Sequence, residues 1–141
     1  MRSTEEMTKF LLEKLKKLFK QNHLQFVYLG GSWARGENQW WSDIDLFVSF
    51  PKYPDLSPDE QLRVLTKLHL DATDLTKLEE INFIIIETLP LHVQFNVISE
   101  GIVIYEESKQ TREDFIEKLL PLYYDHKIWY EKLILESDYE T

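Results

Sequence analysis

"LGGSWARGENQWWSDIDLFV", Leu29 to Val48, is the stretch on which the reading of this chain turns. It ends one apolar, β-rich run with Gly30-Gly31-Ser32 and opens a second with Asp43-Ile44-Asp45. Aspartates two apart on a strand point to one face, leaving Ile44, Leu46 and Val48 for the core side. Neighbouring carboxylates repel, and such a pair persists most easily when it shares cations. Hard oxygen donors and a phosphate-bearing substrate suit Mg²⁺ or Mn²⁺. The bland alternative is a polar strand face with two unrelated aspartates. Gly30 and Gly31 have no Cβ to block a ligand, so backbone N–H groups can meet an anion there, and Ser32 adds a hydroxyl. A tight structural turn explains the same glycines. No P-loop is present, because no Lys-Ser/Thr follows at the required position. Ten residues separate Ser32 from Asp43, and the joint pattern G-S-x10-D-x-D is more specific than either half.

Outward from this stretch the chain alternates helices and strands. Ser3 with Glu6 is a capping box, and Met7, Leu11, Leu15 and Leu18 recur at helical spacing, predicting a helix to about Gln21. "LQFVYLG" reads as a buried strand, Trp33–Gly36 as one helical turn, and "DIDLFVSF" as a second strand closed by Pro51 and Pro54. Ser57-Pro58-Asp59-Glu60 starts another helix, with Leu62, Leu65, Leu68 and Ala72 as its buried stripe. "INFIII" is a third strand and "GIVIYEE" a fourth, while "LPLHVQFNVISEG" fits strand or helix. A long final helix is predicted from Thr111, capped with Asp114, over about 111–135, kinked or restarted at Pro121. The fold class expected is α/β (α+β): a small mixed sheet flanked by helices, in a single domain over 1–141.

Composition narrows the function classes. A chain of 141 residues, 43% hydrophobic and 13% aromatic, can build one packed core. No run of apolar residues is long enough to span a membrane, and "MRSTEEMTKF" shows no export signal, so a cytoplasmic location is expected. The absence of cysteine excludes thiolate chemistry. A net charge of −9 disfavours direct nucleic-acid binding, because phosphate neutralisation drives most of that affinity. The lysines of Lys9–Lys20 read as a solvated helix face, and a basic protein partner suits the acidic chain.

Across Leu29–Val48 the sequence resembles the minimal nucleotidyltransferases of the DNA polymerase β superfamily. Gly31-Ser32 fits its glycine-serine turn, Ala34-Arg35-Gly36 its "ARG", and Ser42-Asp43-Ile44-Asp45-Leu46 its "SDIDL". More weakly, the likeness reaches "EGIVIYEES", Glu100 to Ser108. The resemblance implies a nucleotidyltransferase fold with a helix around His92–Ser99. It implies that Gly31 and Ser32 hold a triphosphate, with Arg35 either bracing the loop or contacting phosphate. Asp43 and Asp45 would bind two metal ions, Mg²⁺ or Mn²⁺, that bridge the phosphates of ATP. Its third catalytic carboxylate falls at Asn82, which can ligate a metal but cannot take a proton. Glu80, on the same strand face, could substitute. Minimal members of this length resemble the antitoxin of HEPN/MNT toxin–antitoxin pairs, which implies transfer of AMP from ATP to a tyrosine of a HEPN ribonuclease toxin in a hetero-oligomer. Asn82 keeps open a weakened antitoxin that acts by binding alone. A small-molecule nucleotidyltransferase is a lesser alternative, since such enzymes usually carry a second domain.

Remaining signals are weaker. Trp33, Trp40 and Trp41 crowd the loop and either stack on a base, meet a partner or anchor the loop in the core. His23, His69, His92 and His126 lack zinc spacing, and Ser32 has no His-Asp partners for hydrolase chemistry. Tyr123, Tyr124, Trp129, Tyr130 and Leu133 in the last helix fit either core or a subunit interface.

Overall fold

Ser3 ends an extended segment and caps α1, Thr4–Gln21: its Oγ accepts from the Glu6 N–H and its hydroxyl donates to the Glu6 carboxylate. Met7, Leu11, Leu15, Leu18 and Phe19 form the buried stripe. The helix closes through His23 at φ 55°, where the Leu24 N–H bonds back to the Phe19 carbonyl and turns the chain into the sheet. The computed structural model describes residues 2–39 and 42–139. The strands are β1 Phe26–Leu29, β2 Ile44–Val48, β3 Ile81–Ile85 and β4 Ile102–Glu106. Four further helices are α2 Gly31–Ala34, α3 Pro58–Thr76, α4 Leu91–Glu100 and α5 Lys109–Tyr139. None of the described helices is long and apolar enough to cross a membrane.

The sheet is mixed, in the order β3-β2-β1-β4, with β1 antiparallel to both neighbours and β2 parallel to β3. The parallel pair needs a crossover, and α3 supplies it. β1 is buried along its whole length and feeds two cores by strand alternation. Val27 and Leu29 enter the larger core, with α1, α3 and the inward residues of β2 and β3. Phe26 and Tyr28 enter the smaller one, with Ile86, Val97 of α4 and Phe115 of α5. A bulge in β4 shifts the register between Val27 and Tyr28. Ile104 and Tyr105, adjacent in sequence, can therefore both join the larger core. Where Tyr28 reaches polar surroundings, Arg112 Nη1 donates to its hydroxyl at 3.1 Å while Nε donates to Glu106 at 2.6 Å. The bond to Glu106 first, then that to Tyr28, raises the guanidinium pKa above its ordinary value.

Several boundaries differ from the sequence expectation. The helical turn after β1 starts at Gly31, two residues early, because Gly30 and Gly31 themselves make the sharp change of direction. β2 begins at Ile44, whose N–H donates to the Glu80 carbonyl, so Asp43 stands just outside the paired strand. The undecided segment is α4, as the family resemblance implies. The last helix starts at Lys109, not Thr111, and its cap is Ser108, whose Oγ accepts from the Thr111 N–H at 3.1 Å. It is not restarted at Pro121: Glu117 and Pro121 are both exposed, so the carbonyl that loses its partner faces water.

Past β2, Ser49 and Phe50 turn away under the grip of one carboxylate. Glu87 accepts from the buried Ser49 hydroxyl at 2.6 Å and from the Phe50 N–H at 2.8 Å. Glu87→Ala strands both donors and is expected to destabilise the fold by about 2–3 kcal/mol, read as a lower urea midpoint with unchanged slope.

Candidate functional site

The turn after β1 is built without side chains because there is no room for them. The Gly30 N–H donates to the Asp45 carbonyl at 3.0 Å, extending the β1–β2 ladder by one rung. A Cβ on Gly30 would lie 2.4 Å from Phe47 Cε2, so the ring rests on the bare backbone. Gly31 has φ +62°, a left-handed conformation open to glycine, and a Cβ there would lie 3.0 Å from Asp45 Oδ2. That cradle beside a carboxylate oxygen is the first element of the site.

Asn82 supplies the second. It is the register partner of Asp45 in the parallel β2–β3 pair, and its Nδ2 donates to Asp45 Oδ1 at 3.3 Å. One Asp45 oxygen is thus held by an amide while the other faces Gly31. Asp43, one residue ahead of β2, is exposed. Ahead of it, the Ser42 Oγ accepts from the Gln39 N–H at 2.8 Å. Two carboxylates and an amide are hard oxygen donors of the kind that Mg²⁺ or Mn²⁺ takes, so the residues present fit such an ion. Among the described residues no cluster of three or more His, Cys, Asp or Glu could hold a metal. Glu80 is exposed and engages β2 through its carbonyl.

The loop residues divide by role. Ser32 is half-buried, and its carbonyl accepts from the Glu37 N–H at 2.9 Å. Arg35 donates its backbone N–H to the Gly31 carbonyl, and its guanidinium pairs with Glu37 at 3.1 Å. With both side chains largely in water this pair contributes well under about 1 kcal/mol, so the guanidinium remains available to an incoming anion. Trp33 is a core anchor: its ring is buried in the larger core and its carbonyl accepts from Thr4 Oγ1 at 2.7 Å. Trp40 and Trp41 lie outside the described residues. His69 is structural, with Nδ1 at 3.0 Å from the Ile81 carbonyl.

Beside Gly31 opens a cavity of about 260 Å³, walled by Arg35, Phe47 and, from α4, Asn96, Val97 and Glu100. Sequence reasoning missed Phe47, Asn96 and Glu100, because their only signal is tertiary: α4 packs back beside the β1 turn. A larger cleft of about 470 Å³ lies at the other end of β1, rimmed by Lys16, Lys20 and His23. Lys20 stands in the last turn of α1, where it offsets the helix dipole, and Glu106 and Glu107 line the same cleft. In the distal half of α5 Tyr123 stacks on Phe95 at 4.0 Å, and Tyr124 meets the same ring edge-on at 6.3 Å. Leu122, Ile128, Tyr130 and Leu133 are exposed, and Trp129 is 60% exposed, so core packing does not explain them.

The family model described as polymerase beta, nucleotidyltransferase matches residues 13–110. No curated protein matches the chain at a significant level. Among solved structures, a toxin–antitoxin crystal structure with AMP-PNP is 23% identical, with a TM-score of 0.65, covering 92% of this chain and 98% of the other. The tri-AMPylated Shewanella oneidensis HEPN toxin in complex with MNT antitoxin matches at 20% identity and TM-score 0.62, covering 95% and 99%. The toxin–antitoxin MntA-HepT matches at 21% and 0.61, covering 94% and 99%. At these identities the likeness shows a shared fold.

Two glycine variants separate backbone strain from crowding. Gly36 also has positive φ, +71°, but a Cβ there meets nothing within 4 Å. Gly36→Ala is expected to cost about 1–2 kcal/mol from conformation alone. Gly31→Ala is expected to cost about 1 kcal/mol more, from displacing the Asp45 carboxylate, with both read by urea unfolding.

Proposed function

This chain belongs to the polymerase beta nucleotidyltransferase family, and from that premise we propose that it is a metal-dependent antitoxin that transfers AMP from ATP to a tyrosine of a HEPN-type ribonuclease toxin. The observation that carries the reading is the meeting of Gly31, Asp45 and Asn82 at the ends of three strands. Gly31 and Ser32 receive the triphosphate on the open side of the turn, with backbone N–H groups and the Ser32 hydroxyl as donors. Arg35 stands at the wall of the adjoining cavity, able to exchange Glu37 for a phosphate oxygen. Asp43 and Asp45 would hold the divalent cations, which when bound neutralise phosphate charge. Asn82 fixes the orientation of Asp45.

The fold likeness to antitoxins, one of them bound to a tri-AMPylated HEPN toxin, supports a protein acceptor. An acidic chain of net charge −9 suits a basic, RNA-cleaving partner. The exposed residues Leu122, Ile128, Trp129 and Tyr130 of α5 offer the apolar surface that such a partner would cover. A second reading, neutralisation by binding alone, is favoured by one observation: an amide occupies the register position beside Asp45.

Intact-mass spectrometry of the HEPN-type partner, incubated with ATP and Mg²⁺, decides between them. A gain of one or more AMP units is expected with this chain. It is lost in Asp43→Ala/Asp45→Ala, whose circular dichroism stays native. A stable inhibitory complex without mass gain supports the binding reading instead.

A further inference from the structure

β4 ends the sheet: in the order β3-β2-β1-β4 one of its edges pairs with β1 and the other has no strand beside it. Among the described residues, the backbone hydrogen bonds made outside the regular elements include none from Ile102–Glu106. Such an edge keeps unpaired N–H and C=O groups, which can template a further strand. Between α1 and β4 lies the cleft of about 470 Å³. Its apolar lining is Leu12, Leu24, Ile104 and Tyr105, the last two turned the same way by the β4 bulge. Lys16 and Lys20 line it too. Both are exposed, and among the described residues neither has an acidic group within ion-pair distance. In a chain of net charge −9, two unpaired cations beside an open strand edge are complementary to an anionic segment. We propose that this edge and cleft take an extended acidic peptide segment, added beside β4 as a fifth strand, with its acidic side chains two residues apart.

The spacing follows from helix and strand geometry. Leu12, Lys16 and Lys20 are four residues apart on α1, so each step along that helix face rises about 6 Å. Two residues of an extended strand cover about 6.7 Å and point to the same side. A strand lying along this ridge therefore meets it in the pattern apolar-x-acidic-x-acidic. The apolar residue covers Leu12, and the two carboxylates reach Lys16 and Lys20. The intervening side chains point to the other face of the sheet, and main-chain bonds to β4 add affinity whatever those side chains are. The cleft's own acids limit the motif at one end. Glu106 is held by Arg112 at 2.6 Å, whereas Glu107 is exposed, with its N–H given to the Gln25 carbonyl. The residue after the second acid is accordingly neutral or basic. This surface lies at the opposite end of β1 from Gly31, and its occupancy does not depend on the transferase reading.

Fluorescence anisotropy on the full chain tests this with two labelled peptides of one composition. In TLTETETT the leucine and both glutamates share a strand face, and in TLTEETTT the glutamates point to opposite faces. The alternating peptide is expected to bind saturably below about 1 mM, about threefold tighter than its rearranged control, and more weakly as salt is raised. Lys16→Gln/Lys20→Gln, a surface change that a helix tolerates, weakens the alternating peptide about tenfold and removes the difference between the two. Hydrogen exchange read by mass spectrometry slows across Ile102–Glu106 when the peptide is bound, because the added strand covers the outward N–H groups. Equal binding of the two peptides, an unchanged affinity in the lysine variant, or unaltered exchange in β4 overturns the proposal. So does a failure of the alternating peptide to bind up to about 1 mM. Sedimentation of the chain alone examines the other occupant: a dimer whose formation slows β4 exchange assigns the edge to a second copy, and overturns the proposal as well.

Discussion

The hydrogen bond from the Gly30 amide to the Asp45 carbonyl is the rung on which the site depends. It extends the β1–β2 ladder past Leu29 and sets Gly31 against the Asp45 carboxylate. Phe47, two residues on from Asp45, closes over Gly30 on the same sheet face, so the chain can approach this closely only as bare backbone. The parallel pairing of β2 with β3 then brings Asn82 to the same carboxylate. A register slip of one residue would turn Asp45 into the larger core and Leu46 towards the solvent, so the burial of Ile44, Leu46 and Val48 holds Asp45 beside Gly31.

The two cores contribute unequally to this placement. The larger one, under α1 and α3, fixes the sheet and anchors Trp33 at the back of the glycine turn. The smaller one, around Phe26, Tyr28, Ile86 and Val97, seats α4 and thereby sets the far wall of the cavity beside Gly31. α5 joins it through its first half, with Phe115 in the core and Arg112 tying Tyr28 to Glu106. Beyond Pro121, Tyr123 still stacks on Phe95 of α4, while Leu122, Ile128, Trp129 and Tyr130 are exposed. Large apolar groups gathered in one exposed segment are characteristic of surfaces that meet another molecule.

What could be read from residues alone was whatever depends on near neighbours in the chain. The α1 stripe and the caps at Ser3 and Ser57 follow from spacing and side-chain chemistry within one helical turn, and the structure contains them as read. Asp43 and Asp45 stood out because a strand's period is two, and the glycine pair because a missing Cβ is visible in any sequence. Boundaries were less legible: the pattern of Thr111 with Asp114 points to a start at Thr111, whereas the Thr111 N–H is itself capped by the Ser108 Oγ. The segment after Pro90 was ambiguous because its β-branched residues suit either state until packing against α5 and β1 favours a helix.

By itself, then, the sequence determined the elements other than α4, the mixed α/β class and the pair of motifs, since each rests on local propensity and periodicity. Tertiary structure decided which groups meet. Asn82 donates to Asp45 only because β3 is parallel to β2 in that register, Trp33 is buried only because α1 covers it, and Asn96 and Glu100 reach the cavity only because α4 folds back. Those contacts join residues far apart in the chain, and their geometry is set by the packing of whole layers, which no short window of sequence contains.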